Sequence, residues 1–357
     1  MTDPYAPLTF PRGPAMLNRF MLAPLTNKQS HADGTLSDEE FHWLTLRAQG
    51  GFGLVMTCAA HVQKEGQGFA GQLGIWSDDH LPGLARLAQG IRDGGALSSV
   101  QLHHAGLRSP QELIGEVPQG PFAEPDNGRA LTTAEVGQLR DDFIAAAQRA
   151  EKAGFDGVEI HGAHGYVLCQ FLDPANNRRE DGYGGSYEGR TRIFREIIAG
   201  IRAATGPQFQ LGLRLSAERF NIDFAEAKTL AAELMAGGEL DYLDMSLWDC
   251  FNQPADPAHA GKSLIAHFAE LPRGATRLGV AGKIMDMDKV RACLAEGVDF
   301  VLLGRAAILN HDFPNRGRAD AGFGPTPTPV TRDHLRREGL SEGFIDYFAT
   351  FPGYVAA

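Results

Sequence analysis

Two histidines three residues apart, His161 and His164, followed by Tyr166, are the residues of this sequence whose types and spacing point most directly to chemistry. Residues three apart on a helix or turn share a face, so both imidazoles can converge on one point. Three readings are open. The pair could hold a metal, although no glutamate stands between them and no third ligand is evident. They could be structural histidines, each satisfied by its own hydrogen bonds. Or their ring N–H groups could polarise one carbonyl oxygen and stabilise the negative charge that develops on it. Tyr166 favours the third reading, because its O–H would be a proton source for the adjacent enolate carbon. A second cluster comprises Gly282 and the pair Gly304–Arg305. Glycines let backbone N–H groups approach an anion, and an arginine adds a forked donor of fixed positive charge. The same glycines could simply make tight turns. The pattern does not tell a phosphorylated substrate from a phosphorylated cofactor.

These residues need a scaffold, and the hydrophobic pattern supplies one. Short, nearly continuous apolar runs occur at Arg19–Leu25, Gly53–Cys58, Leu97–His103 and Gly157–His161, then at Gln210–Ser216, Asp241–Leu247, Arg277–Ala281 and Phe300–Gly304. Unbroken runs of this length read as parallel strands buried on both faces. Amphipathic stretches lie between them, among them Thr133–Ala153, Glu188–Ala204, Glu226–Ala236 and Asp286–Glu296. Asp286 fits an N-cap, and Gly154, Gly206, Gly237 and Gly297 fall where helix C-termini call for positive φ. Eight strand–helix units predict an α/β fold, a single (β/α)8 TIM barrel, with an open doubly wound sheet as the alternative. The expected organisation is one domain over 1–357: an N-terminal cap (1–18) closing the barrel bottom, the barrel (19–310), and a C-terminal tail (311–357), read from about residue 320 on as a loop and a helix. In such barrels the active site lies at the C-terminal ends of the strands, where Thr26, Gln101, His161, Arg214, Gly282 and Gly304–Arg305 all fall. The stretch 104–132 is too long for an ordinary connection, and long loops on rigid scaffolds tend to carry specificity.

Bulk properties narrow the classes further. A barrel needs ~250 residues or more, and the chain has 357. A net charge of −11 argues against broad nucleic-acid or anionic-membrane binding, since both want a basic face. The four cysteines, Cys58, Cys169, Cys250 and Cys293, are scattered, with no C-x2-C spacing for zinc or an iron–sulfur cluster. No leader peptide and no apolar run near the ~20 residues of a membrane span is evident. The expected setting is a reduced cytoplasm, with no metal.

The run 161–190, HGAHGYVLCQFLDPANNRREDGYGGSYEGR, resembles the long signature of the old yellow enzyme family. Further similarity covers NRFMLAPLT (18–26), GQLGIWSDDHLPGL (71–84), QLHHAG (101–106), LRLSAE (213–218) and DFVLLGRAAI (299–308), nearly the whole barrel. Two histidines rather than a His–Asn pair look like the bacterial thermophilic-like branch. The resemblance implies non-covalent FMN with its phosphate at Gly304/Arg305, and Gly282 belonging to the same site. It implies Ala23, Pro24, Leu25 and Thr26 against the flavin, Ala59 at its ring, and Gln101 and Arg214 at its pyrimidine edge. It also implies a ping-pong NAD(P)H oxidoreductase acting on activated C=C bonds. In that scheme His161 and His164 hold the carbonyl oxygen, flavin N5 gives hydride to the β carbon, and Tyr166 protonates the α carbon. Lys28 would contact substrate.

Three departures stand out. Thr26 replaces a cysteine frequent in the two-histidine branch, and Lys28 replaces a substrate-contacting tyrosine, so the chain mixes features of two branches. Leu107 stands where the family usually has arginine, with Arg108 one residue later. Tail arginines reach a neighbouring subunit in some relatives, which leaves Arg336, Arg337 and a homodimer or homotetramer open. Larger relatives with a cysteine cluster and an appended dinucleotide-binding half are not expected here. The rival enzyme is a Schiff-base aldolase or isomerase barrel, for which Lys283 or else Lys28 would be the lysine; a catalytically idle binding barrel is the rival of another kind.

Overall fold

The eight apolar runs pair side by side, every neighbour parallel, into a closed barrel. This computed structural model describes residues 2–356. The strands are β1 (Phe20–Leu22), β2 (Leu54–His61), β3 (Leu97–His103), β4 (Gly157–Gly162), β5 (Gln210–Ser216), β6 (Tyr242–Ser246), β7 (Arg277–Ala281) and β8 (Phe300–Leu303). A helix follows each strand: α1 (Asp38–Gln49), α2 (Leu81–Asp93), α3 (Thr133–Lys152), α4 (Tyr187–Ala204), α5 (Phe224–Ala236), α6 (Leu264–Ala269), α7 (Met287–Ala295) and α8 (Arg305–Leu309). The open-sheet alternative is excluded, because β1 bonds both β2 and β8.

Several boundaries differ from the sequence expectation for local reasons. Strand β1 is only three residues long, because Pro24 has no N–H to continue the ladder. Strand β2 runs three residues past Cys58, through Ala59 to His61, with an irregularity between Met56 and Ala59. Gly304 leaves β8 and becomes the residue before α8. Helices α4 and α5 begin earlier than predicted, at the N-caps Ser186 and Asp223, whose side chains each accept a backbone N–H. Asp286 caps α7 as expected, and Gly154 and Gly297 take φ of +89° and +98°. Gly237 keeps a helical φ of −66° and Gly238 turns instead at +73°. Gly206 needs no left-handed turn, since α4 already leaves through extended Thr205.

The N-terminal segment seals the barrel bottom. Leu8 and Met16 form an antiparallel bridge, and Leu8, Phe10 and Met16 pack with Met21, Leu54, Tyr242 and Phe300 inside the strands. Large rings on β6 and β8 fit because β5 and β7 have no side chain opposite them. A Cβ at Gly212 would run into the Tyr242 ring, and one at Gly279 into Phe300. The tail forms three short helices rather than one, Phe313–Ala319, Arg332–Arg337 and Glu342–Ala349. Gly339, at φ +82°, separates the last two and Ser341 caps the last. No helix among the described residues is long and apolar enough to cross a membrane.

Candidate active site

At the C-terminal ends of β3 to β6 the strands share one pattern, a polar residue, an apolar one, then another polar one: Gln101–Leu102–His103, Glu159–Ile160–His161, Arg214–Leu215–Ser216 and Asp244–Met245–Ser246. Side chains two apart share a face of a strand, so eight polar groups cluster around the barrel mouth in two tiers.

The upper tier is a chain of hydrogen bonds. His103 Nδ1 lies 2.9 Å from His161 Nδ1, and His161 Nε2 lies 3.0 Å from His164 Nδ1. His164 Nε2 is 2.7 Å from Ser246 Oγ, which also accepts from Arg214 Nη2 at 3.3 Å. His164 adopts φ +63° and Gly165 +75°, a turn that brings Tyr166 back beside the histidines. The Tyr166 ring stands edge-on to His103 with centroids 4.4 Å apart, and the Arg108 guanidinium lies 4.4 Å from its centre. Burial, the largest cause, pushes His103, His161 and His164 well below the ordinary imidazole range. They act as neutral rings, each with one N–H.

The lower tier holds buried charge. Gln101 Nε2 donates to Glu159 Oε1 at 2.8 Å, and Arg214 Nε lies 2.8 Å from Asp244 Oδ2. The angle at Arg214 is too poor for a formed hydrogen bond, so Arg214 Nε and both Asp244 oxygens are buried without one. Burial and then Asp244 raise the Glu159 carboxyl; burial raises Asp244, and Arg214 opposes that rise.

Above both tiers opens a cleft of about 760 Å3, the size of an ordinary cofactor or ligand site. Ala23, Pro24, Leu25, Thr26, His164, Tyr166, Arg214, Gly282, Gly304 and Arg305 line it, ten of the fourteen residues singled out from sequence. His161, only 4% exposed, touches it through His164. Gln101 is buried against Glu159, and Ala59 is its register partner on β2; neither is among the lining residues. Lys28 is exposed on the flank, with its ammonium 4.8 Å from the centre of the Tyr347 ring. Lys283 lines the cleft but is paired with Asp249 at 3.2 Å and more than half exposed, unlike the desolvated amine a Schiff base needs.

Several lining residues were not singled out as site residues: Arg108, Phe220, Ser246, Trp248, and the tail aromatics Phe344, Tyr347 and Phe351. Ser246 carried a signal in the alternating strand ends. The tail aromatics carried none, because their target is set by how the last helix docks. Arg336, by contrast, is engaged within its own tail by Asp333 and by Glu342.

The lining fits a planar, anionic cofactor. It carries four cations, Arg108, Arg214, Lys283 and Arg305, and no carboxylate, in a chain of net charge −11. Gly282 and Gly304 bare their backbone beside Arg305, whose Nη1 also donates to Tyr354 OH at 2.5 Å. FMN's phosphate would find its partners there, and Arg214 offers a charge to the ring system.

Comparison with known proteins agrees. The profile described as the NADH:flavin oxidoreductase / NADH oxidase family matches residues 5–321. A probable NADH-dependent flavin oxidoreductase of Bacillus subtilis is 37% identical over 86% of this chain and 85% of its own. The old yellow enzyme homologue from Zymomonas mobilis superposes with a TM-score of 0.81 at 26% identity, over 97% of this chain and 99% of that one. Morphinone reductase, in a structure with tetrahydroNAD, gives 0.79 at 26% identity over 97% of each chain.

Proposed function

This chain belongs to the NADH:flavin oxidoreductase / NADH oxidase family, and on that premise we propose that it reduces the activated C=C bond of α,β-unsaturated carbonyl or related nitro compounds. It is an NAD(P)H-dependent oxidoreductase of the old yellow enzyme type, with FMN as its cofactor. When bound, FMN would supply the hydride chemistry that links NAD(P)H to the β carbon of the substrate. Ala23 to Thr26, Ala59, Gln101 and Arg214 would hold the flavin ring, and Gly282, Gly304 and Arg305 its phosphate. NAD(P)H and the unsaturated compound would use the one cleft in turn, a ping-pong order.

The remaining roles fall to the upper tier. His161 and His164 hold the carbonyl oxygen and draw electron density toward it, so the β carbon becomes the electrophilic end. Tyr166 gives its proton to the α carbon as negative charge develops there. Lys28, Trp248 and the tail aromatics shape the mouth for substrate. The observation that carries this reading is the convergence of His161 Nε2 and His164 Nδ1, 3.0 Å apart, beside Tyr166 in a cleft lined with cations. We read the chain as one FMN-binding domain, cytoplasmic in keeping with its four free buried cysteines, and forming a homodimer or homotetramer.

The test uses the flavin's own colour. Purified protein should be yellow, bleach with NADPH under nitrogen, and regain its colour on adding cyclohexenone. A reduced enzyme that no enone, maleimide or nitroalkene reoxidises would overturn the substrate class while leaving the flavoenzyme intact.

A further inference from the structure

We propose that Arg108 is a positioning residue that works through Tyr166: it braces the turn that carries the phenol, and its charge stabilises the phenolate left when the proton departs. This rests on the reading of Tyr166 as the proton donor to the α carbon.

Arg108 reaches that place because Leu107 does not. Leu107 stands where arginine is usual, and it is only 3% exposed. Its N–H donates to Gln170 Oε1 at 3.2 Å, and its side chain fills a pocket between Gly120 and Gly128, where an added Cβ would collide with it. Gly106, at φ +65°, starts the short 3-10 turn Gly106–Arg108. Such a turn has about three residues per revolution, so consecutive side chains point about 120° apart. Leu107 therefore packs into the long loop while Arg108 swings out to line the cleft.

There the guanidinium makes two contacts. Its Nη1 donates to His164 O at 2.5 Å, which braces the left-handed turn of His164 (φ +63°) and Gly165 (φ +75°) just before Tyr166. Its central carbon lies over the Tyr166 ring, 4.4 Å from the centre. Both partners are neutral, and the cleft lining holds no carboxylate, so the charge stays available. Lys283 and Arg214 differ, because Asp249 and Asp244 pair with them. The field of Arg108 already reaches its surroundings: it is among the groups that disfavour a second proton on His103, His161 and His164. When Tyr166 acts, its O–H bond breaks and the proton forms the α C–H bond. The electron pair stays on the phenolate oxygen and spreads into the ring, and water in the cleft later returns a proton. A cation facing an aromatic ring attracts it, and attracts it more once the ring bears negative charge. The difference favours the state in which the proton is leaving, which is where an interaction speeds a reaction.

Stopped-flow measurement of reduced holoenzyme with cyclohexenone, and of oxidised holoenzyme with NADPH, tests this. Arg108→Gln keeps an N–H for His164 O and removes the charge. It should slow enone reduction about tenfold, in the range of one cation–π contact, with cyclohexenone affinity and flavin reduction unchanged. Arg108→Lys keeps the charge and should recover most of the rate. In a Tyr166→Phe background Arg108→Gln should add no further loss, since no phenolate forms there. Losses that multiply, or an Arg108→Lys enzyme no faster than Arg108→Gln, would overturn the proposal. Weaker cyclohexenone binding at an unchanged rate of reduction would make Arg108 a substrate-holding group, which also overturns it. A Tyr166→Phe enzyme that reduces cyclohexenone as fast as wild type would bring down the proton-donor reading itself, an outcome that variant alone reveals.

Discussion

Tyr166 makes its contacts through its ring, edge-on to His103 and under the Arg108 guanidinium. Removing only the hydroxyl therefore preserves the packing. Tyr166→Phe should slow substrate reduction by ~100-fold or more, the usual worth of a positioned acid, and leave flavin reduction by NADPH unchanged. Stopped-flow traces of the two half-reactions separate the effects, and an equal loss in both would contradict the proton-donor role. The buried titratable groups set the pH limits of stability in opposite directions. The His61 and His104 pKa values fall to about 4 and about 3, mainly through burial, and His103, His161 and His164 also move down. In the unfolded chain these rings take protons near the ordinary 6.5, which the folded chain refuses, so their contribution is lost as pH falls below that value. Glu159 works the other way. Its pKa is raised from 4.5 to about 8, mainly by burial. The folded chain holds this proton more tightly than the unfolded one, so the contribution is present in acid and fades as pH climbs toward 8. Glu159→Gln can still accept from Gln101 and has no proton to lose. Its melting temperature should gain on the wild type from pH 5 to pH 8 and level off above that, and a constant difference would contradict the assignment.

At the scale of elements, the last helix completes the cleft from the far end of the chain. Glu342–Ala349 buries Phe344, Ile345 and Phe348, with Phe344 edge-on to Trp43 of α1 at 5.5 Å. That docking leaves Tyr347 and Phe351 at the cleft mouth, where Tyr347 also lies beneath Lys28. Ser341 Oγ accepts the Phe344 N–H and starts the helix. Ser341→Ala should cost about 1 kcal/mol of helix stability, seen as faster amide exchange across 342–349 with the barrel strands unaffected. Tyr347→Ala should raise KM for small cyclic enones several-fold with little change in flavin reduction, since it removes a wall and no reacting group. Unchanged KM would mean the tail does not contact substrate. The loop after β1 is held from the other side by Glu40 at the start of α1, which accepts from Asn27 at 3.0 Å and from Ser30. Asn27, next to Thr26, is thus anchored on a buried carboxylate.

At the scale of the molecule, the barrel is a packed column with chemistry confined to its upper end. Its lower end is closed by Phe10, whose ring lies 5.8 Å from Tyr242 and 6.3 Å from Phe300. Phe10→Ala should cost about 3 kcal/mol, the lower range for a buried phenylalanine, because the strands cannot close over the space. The denaturant midpoint should drop while FMN and cyclohexenone affinities hold. A loss of FMN with no loss of stability would show that the two ends are not independent.

The sequence by itself determined the order of eight strand–helix units, the position of most helices and the identity of the central residues, since each depends on local order, while closure of the sheet rests on β1 pairing with both β2 and β8. Short unbroken apolar runs between amphipathic stretches read as buried strands, capping residues bound helices within a turn, and the segment from His161 to Arg190 carries its spacing with it. The tertiary structure decided what those residues touch. His103 and His161 are 58 residues apart, and His164 and Ser246 are 82 apart, yet pairing of β3 with β4, and the turn after β4 that carries His164 over β5 toward β6, bring their side chains within hydrogen-bond reach. The tail aromatics reach the same cleft from the far end of the chain, through a docking face that no local pattern encodes. Propensity and periodicity act over a few residues, whereas tautomers, buried charge and the shape of a cleft are set by neighbours in space.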